Sequence, residues 1–174
     1  IGVPMGLETH LRMPLADYDL LRAQLAPRQI VDATACIQRI REVKSEAEIN
    51  KIRESCAIAG RAFARVPEFA AEGQPLSCVF RDFQIALLTE GADWVSYVAG
   101  GAGPDGYGDV ISPAGPQPLR RGDILMLDTG AVKNGYFCDF DRNFAIGPAS
   151  DTARRAHAAL WQATEDTLAH LRPG

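Results

Sequence analysis

Hydrophobic and polar positions change period along the chain, and the changes mark its elements. Ile49, Ile52, Cys56, Ala59 and Phe63 recur at helical spacing behind Ser45, which Glu48 follows three residues later; this is the pattern of a capped amphipathic helix. A helix is predicted at Leu15–Leu25, entered after Pro14 and stopped by Pro27, and another at residues 76–88, closed by Gly91. Ser150 and Asp151 open a last helix reaching about Leu171. Its apolar side is Ala156, Leu160, Ala163 and Leu168, and Pro173-Gly174 ends it. Short strands are predicted at residues 1–5, 29–33 and 94–98, and residues 68–75 read as a polar connection.

The sharpest pattern spans residues 122–142, where two apolar runs meet at Asn134-Gly135, a strong type I′ hairpin signal. That turn pairs Lys133 with Tyr136, Gly130 with Asp139 and Asp128 with Asp141. Alternate strand residues share a face, so Asp128, Asp139 and Asp141 point to one side of what reads as a buried hairpin. Like charges on an apolar face repel and are costly to desolvate unless a cation or basic side chains neutralise them. A divalent ion held by these oxygens is one resolution. An edge hairpin whose acids face water or pair with Arg142 and neighbouring arginines is the other.

Composition narrows the setting. The chain has 174 residues, 47% of them hydrophobic, enough for a sizeable core. Its net charge of -4, with acids and bases intermixed, offers no basic field for nucleic acid, and no apolar run is long enough to cross a membrane. Cys36, Cys56, Cys78 and Cys138 are scattered, forming neither a zinc knuckle nor a secretory disulfide framework. They read as buried thiols of a reducing cytoplasm, with Cys138 alternating away from Asp139. Residues 101–108 match a Gly-x-Gly-x-x-Gly expression, but Pro104, Pro113, Pro116 and Pro118 oppose the helix a dinucleotide site requires, so the segment reads as a glycine-rich loop. His157 and His170 fall on the last helix, away from the acids, and His10 lies far upstream.

The residues Gly122-Asp123, Asp128-Thr129-Gly130, Gly135-Tyr136 and Asp139-Phe140-Asp141-Arg142 resemble the first metal-binding hairpin of the pita-bread metallopeptidase superfamily. That superfamily holds aminopeptidase P, prolidase and methionine aminopeptidase beside the metal-free creatinase. The resemblance implies an α+β, partial pita-bread fold, an antiparallel sheet with packed helices. It assigns metal ligation to Asp128 and Asp139, whose eleven-residue separation matches, with Asp141, where the family carries threonine, either a further ligand or a neighbour of the ligands. The implied cofactor is a divalent metal, two ions or one in a reduced site, drawn from Mn, Co, Zn or Fe. Residues 1–40 resemble the end of an upstream domain and residues 41–174 the first half of a catalytic domain, in a homodimeric parent roughly twice this length. The position of the family's substrate-site histidine falls at Ile111, with Asp109 and Ser112 as neighbours able to replace it, and the general base is expected beyond Gly174. The implied activity is metal-assisted hydrolysis of short Xaa-Pro peptides. Hydrolysis of a small amide or amidine, or a catalytically inactive binding module, are the alternatives. The retention of both aspartates argues against the metal-free branch.

Overall fold

A computed structural model describes residues 1–104, 106–111 and 113–172 of the chain. It separates into two compact units, Ile1–Ala47 and Glu48–Gly174. In the first, β1 (Gly2–Val3) pairs in parallel with β2 (Val31–Asp32), and α1 (Leu15–Leu25) connects them. Both strands are shorter than the sequence predicts. Helix α2 (Thr34–Glu42) has no counterpart among the predicted elements. Its start is fixed by side chains: the Asp32 carboxylate accepts the Thr34 N–H at 2.9 Å, and the Thr34 hydroxyl oxygen accepts those of Met5 and Gly6 at 2.9 and 2.8 Å.

The second unit is built on α3 (Glu46–Ala64), which begins immediately after Ser45. Its buried face is Ser55, Ile58, Ala59, Ala62 and Phe63. Cys56, assigned to the apolar stripe from its spacing, is exposed instead. Ser55 takes the inward position because its hydroxyl donates to the Tyr136 carbonyl at 2.9 Å, which satisfies a polar group inside the core. A short helix, α4 (Val66–Phe69), enters the stretch that reads as a polar connection, with Val66 fully buried. Helix α5 (Leu76–Thr89) buries Val79, Phe80, Phe83, Ala86 and Leu87, and Gly91, at φ +112°, follows its end.

These helices pack on an antiparallel sheet whose centre is β4 (Asp123–Lys133). Strand β3 (Trp94–Pro104) pairs with one edge of β4, and β5 (Tyr136–Phe137) and β6 (Phe140–Ala145) pair with the other. Leu125, Leu127, Thr129 and Ala131 alternate onto the helix side of β4, all fully buried. Phe63 joins the layers, with ring centroids 4.7 Å from Phe83 and 5.3 Å from Phe140. Each fully buried leucine here is worth about 1.5–3 kcal/mol of transfer free energy, so this seam dominates the stability of the unit.

Strand β3 runs further than predicted and takes in the first half of the glycine-rich segment. The reason is close backbone approach rather than loop flexibility. A Cβ on Gly100 would lie 2.1 Å from the Met126 carbonyl oxygen, and one on Gly101 would lie 2.5 Å from that of Asp109. Residues 115–119 are tied to the entry of α5, with Leu76 N–H donating to Gln117 at 2.9 Å and Ser77 N–H to Gly115 at 3.0 Å. The prolines therefore stiffen a braced connection. Helix α6 (Asp151–His170) is capped by Ser150, whose hydroxyl accepts the Ala153 N–H at 3.0 Å. The predicted end of this helix at Pro173-Gly174 lies outside the described residues. None of its described residues is buried, and Leu160, Trp161 and Leu168 stay more than half exposed.

Candidate metal centre

The hairpin turn sets the register of the site. Asn134 and Gly135 have φ of +52° and +76°, as a two-residue type I′ turn requires. The Asp93 carboxylate pins the turn from outside, accepting the Asn134 N–H at 2.8 Å and pairing with Lys133 at 2.7 Å. Those two donors hold the Asp93 carboxyl below its ordinary range, the Lys133 hydrogen bond being the larger cause. Lys133 faces Tyr136, and beyond a break at residues 138–139 the same register resumes with Thr129 opposite Phe140 and Asp128 opposite Asp141. At the break Gly130 is essential, because a Cβ there would stand 2.7 Å from the Cys138 carbonyl oxygen and 3.4 Å from the Tyr97 ring.

Tyr97 is the site residue that the sequence does not announce. Strand β3 slips register between Val95 and Val98, and the bulge turns Tyr97 onto the acid-bearing face. Buried Thr129 holds the bulge by donating to the Tyr97 carbonyl at 2.8 Å. The Tyr97 hydroxyl then lies 3.3 Å from Asp128 Oδ1 and within close hydrogen-bonding distance of Asp139 Oδ1. Thirty-one residues separate Tyr97 from Asp128 in sequence, and only the strand pairing joins them. A bulge signal was needed to find it, and the alternation at residues 94–98 carries none.

Asp128 and Asp139 thus converge on one hydroxyl, but the face is wetter than a buried hairpin implies. Asp128 is half-buried, whereas Asp139 and Asp141 are exposed, since α3 and α5 pack on the opposite side, over Leu125 and Leu127. Burial, then the neighbouring Asp139 charge, raises the Asp128 carboxyl above its ordinary range. The Tyr97 hydroxyl is raised strongly, first by burial and next by its bond to Asp139, so it stays a protonated donor. Arg142 does not neutralise the acids. Its guanidinium lies 4.7 Å from the Phe140 ring centroid and donates to the Asp141 carbonyl at 2.6 Å. Among the described residues none of the three aspartates takes part in an ion pair, and no three His, Cys, Asp or Glu side chains gather as a metal-ligand group. Asp141 stands beside the converging pair, not in a three-acid cluster with it. Two carboxylates with unneutralised charge and oxygen-only donors fit a divalent cation, which would offset the burial and the Asp139 repulsion that raise Asp128.

The other candidates separate clearly. Ile111 is 86% exposed, and its N–H is accepted by the Asp109 carboxylate at 3.1 Å, so Asp109 serves a local turn. Ser112 lies outside the described residues. Asp123 builds the hairpin entry: it is buried, and its carboxylate accepts the Arg120 N–H at 2.8 Å. Cys36, Cys56 and Cys78 are exposed, which corrects the expectation of buried thiols; surface helix positions left them uncovered. Cys138 is buried and donates to the Ser55 carbonyl at 3.3 Å, and burial pushes its thiol up. His157 and His170 lie on α6, and His10 belongs to the first unit. Tyr107, from the loop after β3, crosses the acid face and donates to Asn143 Oδ1 at 3.1 Å.

An antiparallel sheet backed by helices on one face and carrying paired aspartates at a hairpin on the other defines an α+β fold. The profile of "Metallopeptidase family M24" matches residues 50–174, and the chain belongs to that family. It is 34% identical over 143 residues to "Probable dipeptidase PepE" of Mycobacterium tuberculosis, covering 82% of this chain and 38% of that protein. The crystal structure of dipeptidase PepE from Mycobacterium ulcerans superposes with a TM-score of 0.67 at 31% identity, covering 86% of this chain and 40% of the other. The prolidase of Pyrococcus horikoshii shares the fold, with a TM-score of 0.82 at 20% identity over 99% of this chain and 48% of its own. The chain therefore spans less than half the length of these relatives.

Proposed function

We propose that the complete protein is a metal-dependent hydrolase of short peptides, of the Xaa-Pro dipeptidase or aminopeptidase kind. The observation that carries this reading is the convergence of Asp128 and Asp139 on the Tyr97 hydroxyl, on one open sheet face. It is supported by family membership and by relatives named as a probable dipeptidase and as Xaa-Pro dipeptidases. Asp128 and Asp139 are the residues that hold divalent metal, one or two ions of Mn, Co, Zn or Fe, with Asp141 beside them. Such an ion, when bound, supplies Lewis acidity toward a carbonyl and a lowered pKa for water. Tyr97 keeps both carboxylates aimed at one point, and Thr129, through the bulge, keeps Tyr97 in place. The remaining ligands and the general base belong to the length of the relatives that this chain does not span.

The same reading takes residues 1–40 as the end of an upstream domain and residues 41–174 as the first half of a catalytic domain in a homodimer. A reducing cytoplasmic setting is supported by four free cysteines. A second reading, hydrolysis of a small non-peptide C–N substrate, is favoured by Ile111, whose side chain neither donates a hydrogen bond nor carries a proton. Metal analysis of the complete wild type and of the Asp128→Ala, Asp139→Ala double variant tests the centre. Loss of bound metal in the variant is expected, and equal content in both refutes it. A panel of Xaa-Pro peptides beside small amidines then separates the two substrate classes.

A further inference from the structure

On the acid face, a groove of about 500 Å³ opens between β6 and the first half of α6. Ile124, Ala145 and Leu160 give it an apolar floor, and Tyr107, Asn143, Arg154 and His157 add polar groups to its lining. Asn143 shares its strand face with Asp141, which pairs with Asp128, and is therefore the diagonal cross-strand neighbour of Asp128, about 7–8 Å away. That distance is the span of two residues of an extended peptide. The groove volume falls within the range of about 300–1,000 Å³ common for small-molecule sites.

The chemistry of the Tyr107–Asn143 pair is specific. The Tyr107 hydroxyl donates to the Asn143 side-chain oxygen at 3.1 Å. With its proton committed, the phenol oxygen presents an acceptor, and with its oxygen committed, the Asn143 side chain presents its N–H2 donors. Side by side they offer one acceptor and one donor. In an extended chain the N–H and C=O of a single residue point to the same side, which is how opposed residues of an antiparallel pair exchange two hydrogen bonds.

We propose that Tyr107 and Asn143 form a main-chain clamp for a bound peptide, gripping the N–H and C=O of a residue about two positions from the reacting bond while its side chain lies over the apolar floor. The clamp rests on the peptide-hydrolase reading and narrows it to the aminopeptidase kind, because a dipeptide has no residue two positions from its reacting bond. It binds substrate without touching the reacting atoms, so it acts on KM and leaves kcat and metal content alone.

The test is a cycle between protein and peptide in the complete, metal-loaded protein. Tetrapeptides N-methylated at one amide at a time are compared by kinetics and by equilibrium binding to wild type, Tyr107→Phe and Asn143→Leu. For wild type, methylation at one position is expected to weaken binding roughly five- to tenfold, the effect of one hydrogen bond. Tyr107→Phe is expected to weaken the unmethylated peptide by a similar factor and to make it indifferent to that methylation. Asn143→Leu is expected to raise KM with kcat unchanged. Unaltered KM in both variants, additive effects of methylation and Tyr107→Phe, or a fall in kcat alone would each overturn the clamp while leaving the hydrolase reading standing. A wild type that binds metal but neither binds nor cleaves any peptide overturns both.

Discussion

Asp128 illustrates how one residue would couple the proposed metal centre to stability. Burial and the Asp139 charge raise its carboxyl in the metal-free protein, so the native state holds that proton more tightly than the unfolded chain does. Between the ordinary and the raised value, stability therefore falls as pH rises, and above both the full penalty applies. Asp128→Asn keeps an oxygen for the Tyr97 hydroxyl and removes the charge. In chelator near neutral pH this variant of the complete protein is expected to melt above the wild type, with the difference fading as the solution is acidified. Added metal should reverse the order, because only wild type gains the binding free energy. Thermal melts with and without chelator across the acid range check this; an Asn variant that melts lower in chelator near neutral pH refutes it.

At the scale of elements, two glycines separate backbone strain from collision. Gly135 has φ +76° with open space around it, so Gly135→Ala meets only the left-handed penalty and is expected to cost about 1–2 kcal/mol. Gly100 has φ +147°, and its added Cβ would lie 2.1 Å from the Met126 carbonyl; Gly100→Ala must part β3 from β4 and is expected to cost about 3 kcal/mol or more. Urea unfolding of the two variants, compared at matched metal occupancy, tests the ranking, and equal losses would refute the close-approach account. The Asn134-Gly135 turn was legible in sequence because turn chemistry is local, and it carried the register of Asp128 against Asp141 with it. Gly100–Gly103 was not legible as strand, since glycine reads the same in a loop and where two backbones nearly touch. Cys56 was assigned to the core by spacing alone; the helix is rotated so that Ser55 reaches the Tyr136 carbonyl, and periodicity does not resolve that step. Tyr97 depends on a bulge set by Thr129 from another strand, so no local pattern marks it.

For the whole molecule, ligand supply decides what these 174 residues do by themselves. Asp128 and Asp139 converge, Asp141 stands nearby, and among the described residues no third acid, histidine or cysteine completes a metal-ligand group. Two carboxylates supply at most four oxygens, whereas hydrolytic centres of divalent ions take three or more protein ligands and leave a place for water. Two candidates for the general base that would take a proton from that water are already engaged. Asp109 is held by the Ile111 N–H, and His170 contacts the Asp166 carbonyl on α6. The isolated chain is therefore expected to bind Mn or Co far more weakly than the complete protein and to show no measurable turnover of Xaa-Pro peptides. Isothermal titration with each metal and a peptide panel with purified chain provide the measurement. Metal-dependent turnover that disappears in Asp139→Ala would contradict this expectation and would make the half-site sufficient for chemistry. Turnover confined to the complete protein would place the missing ligands and base in the remaining length, with Tyr97, Asp128 and Asp139 as the part of the centre that this chain contributes.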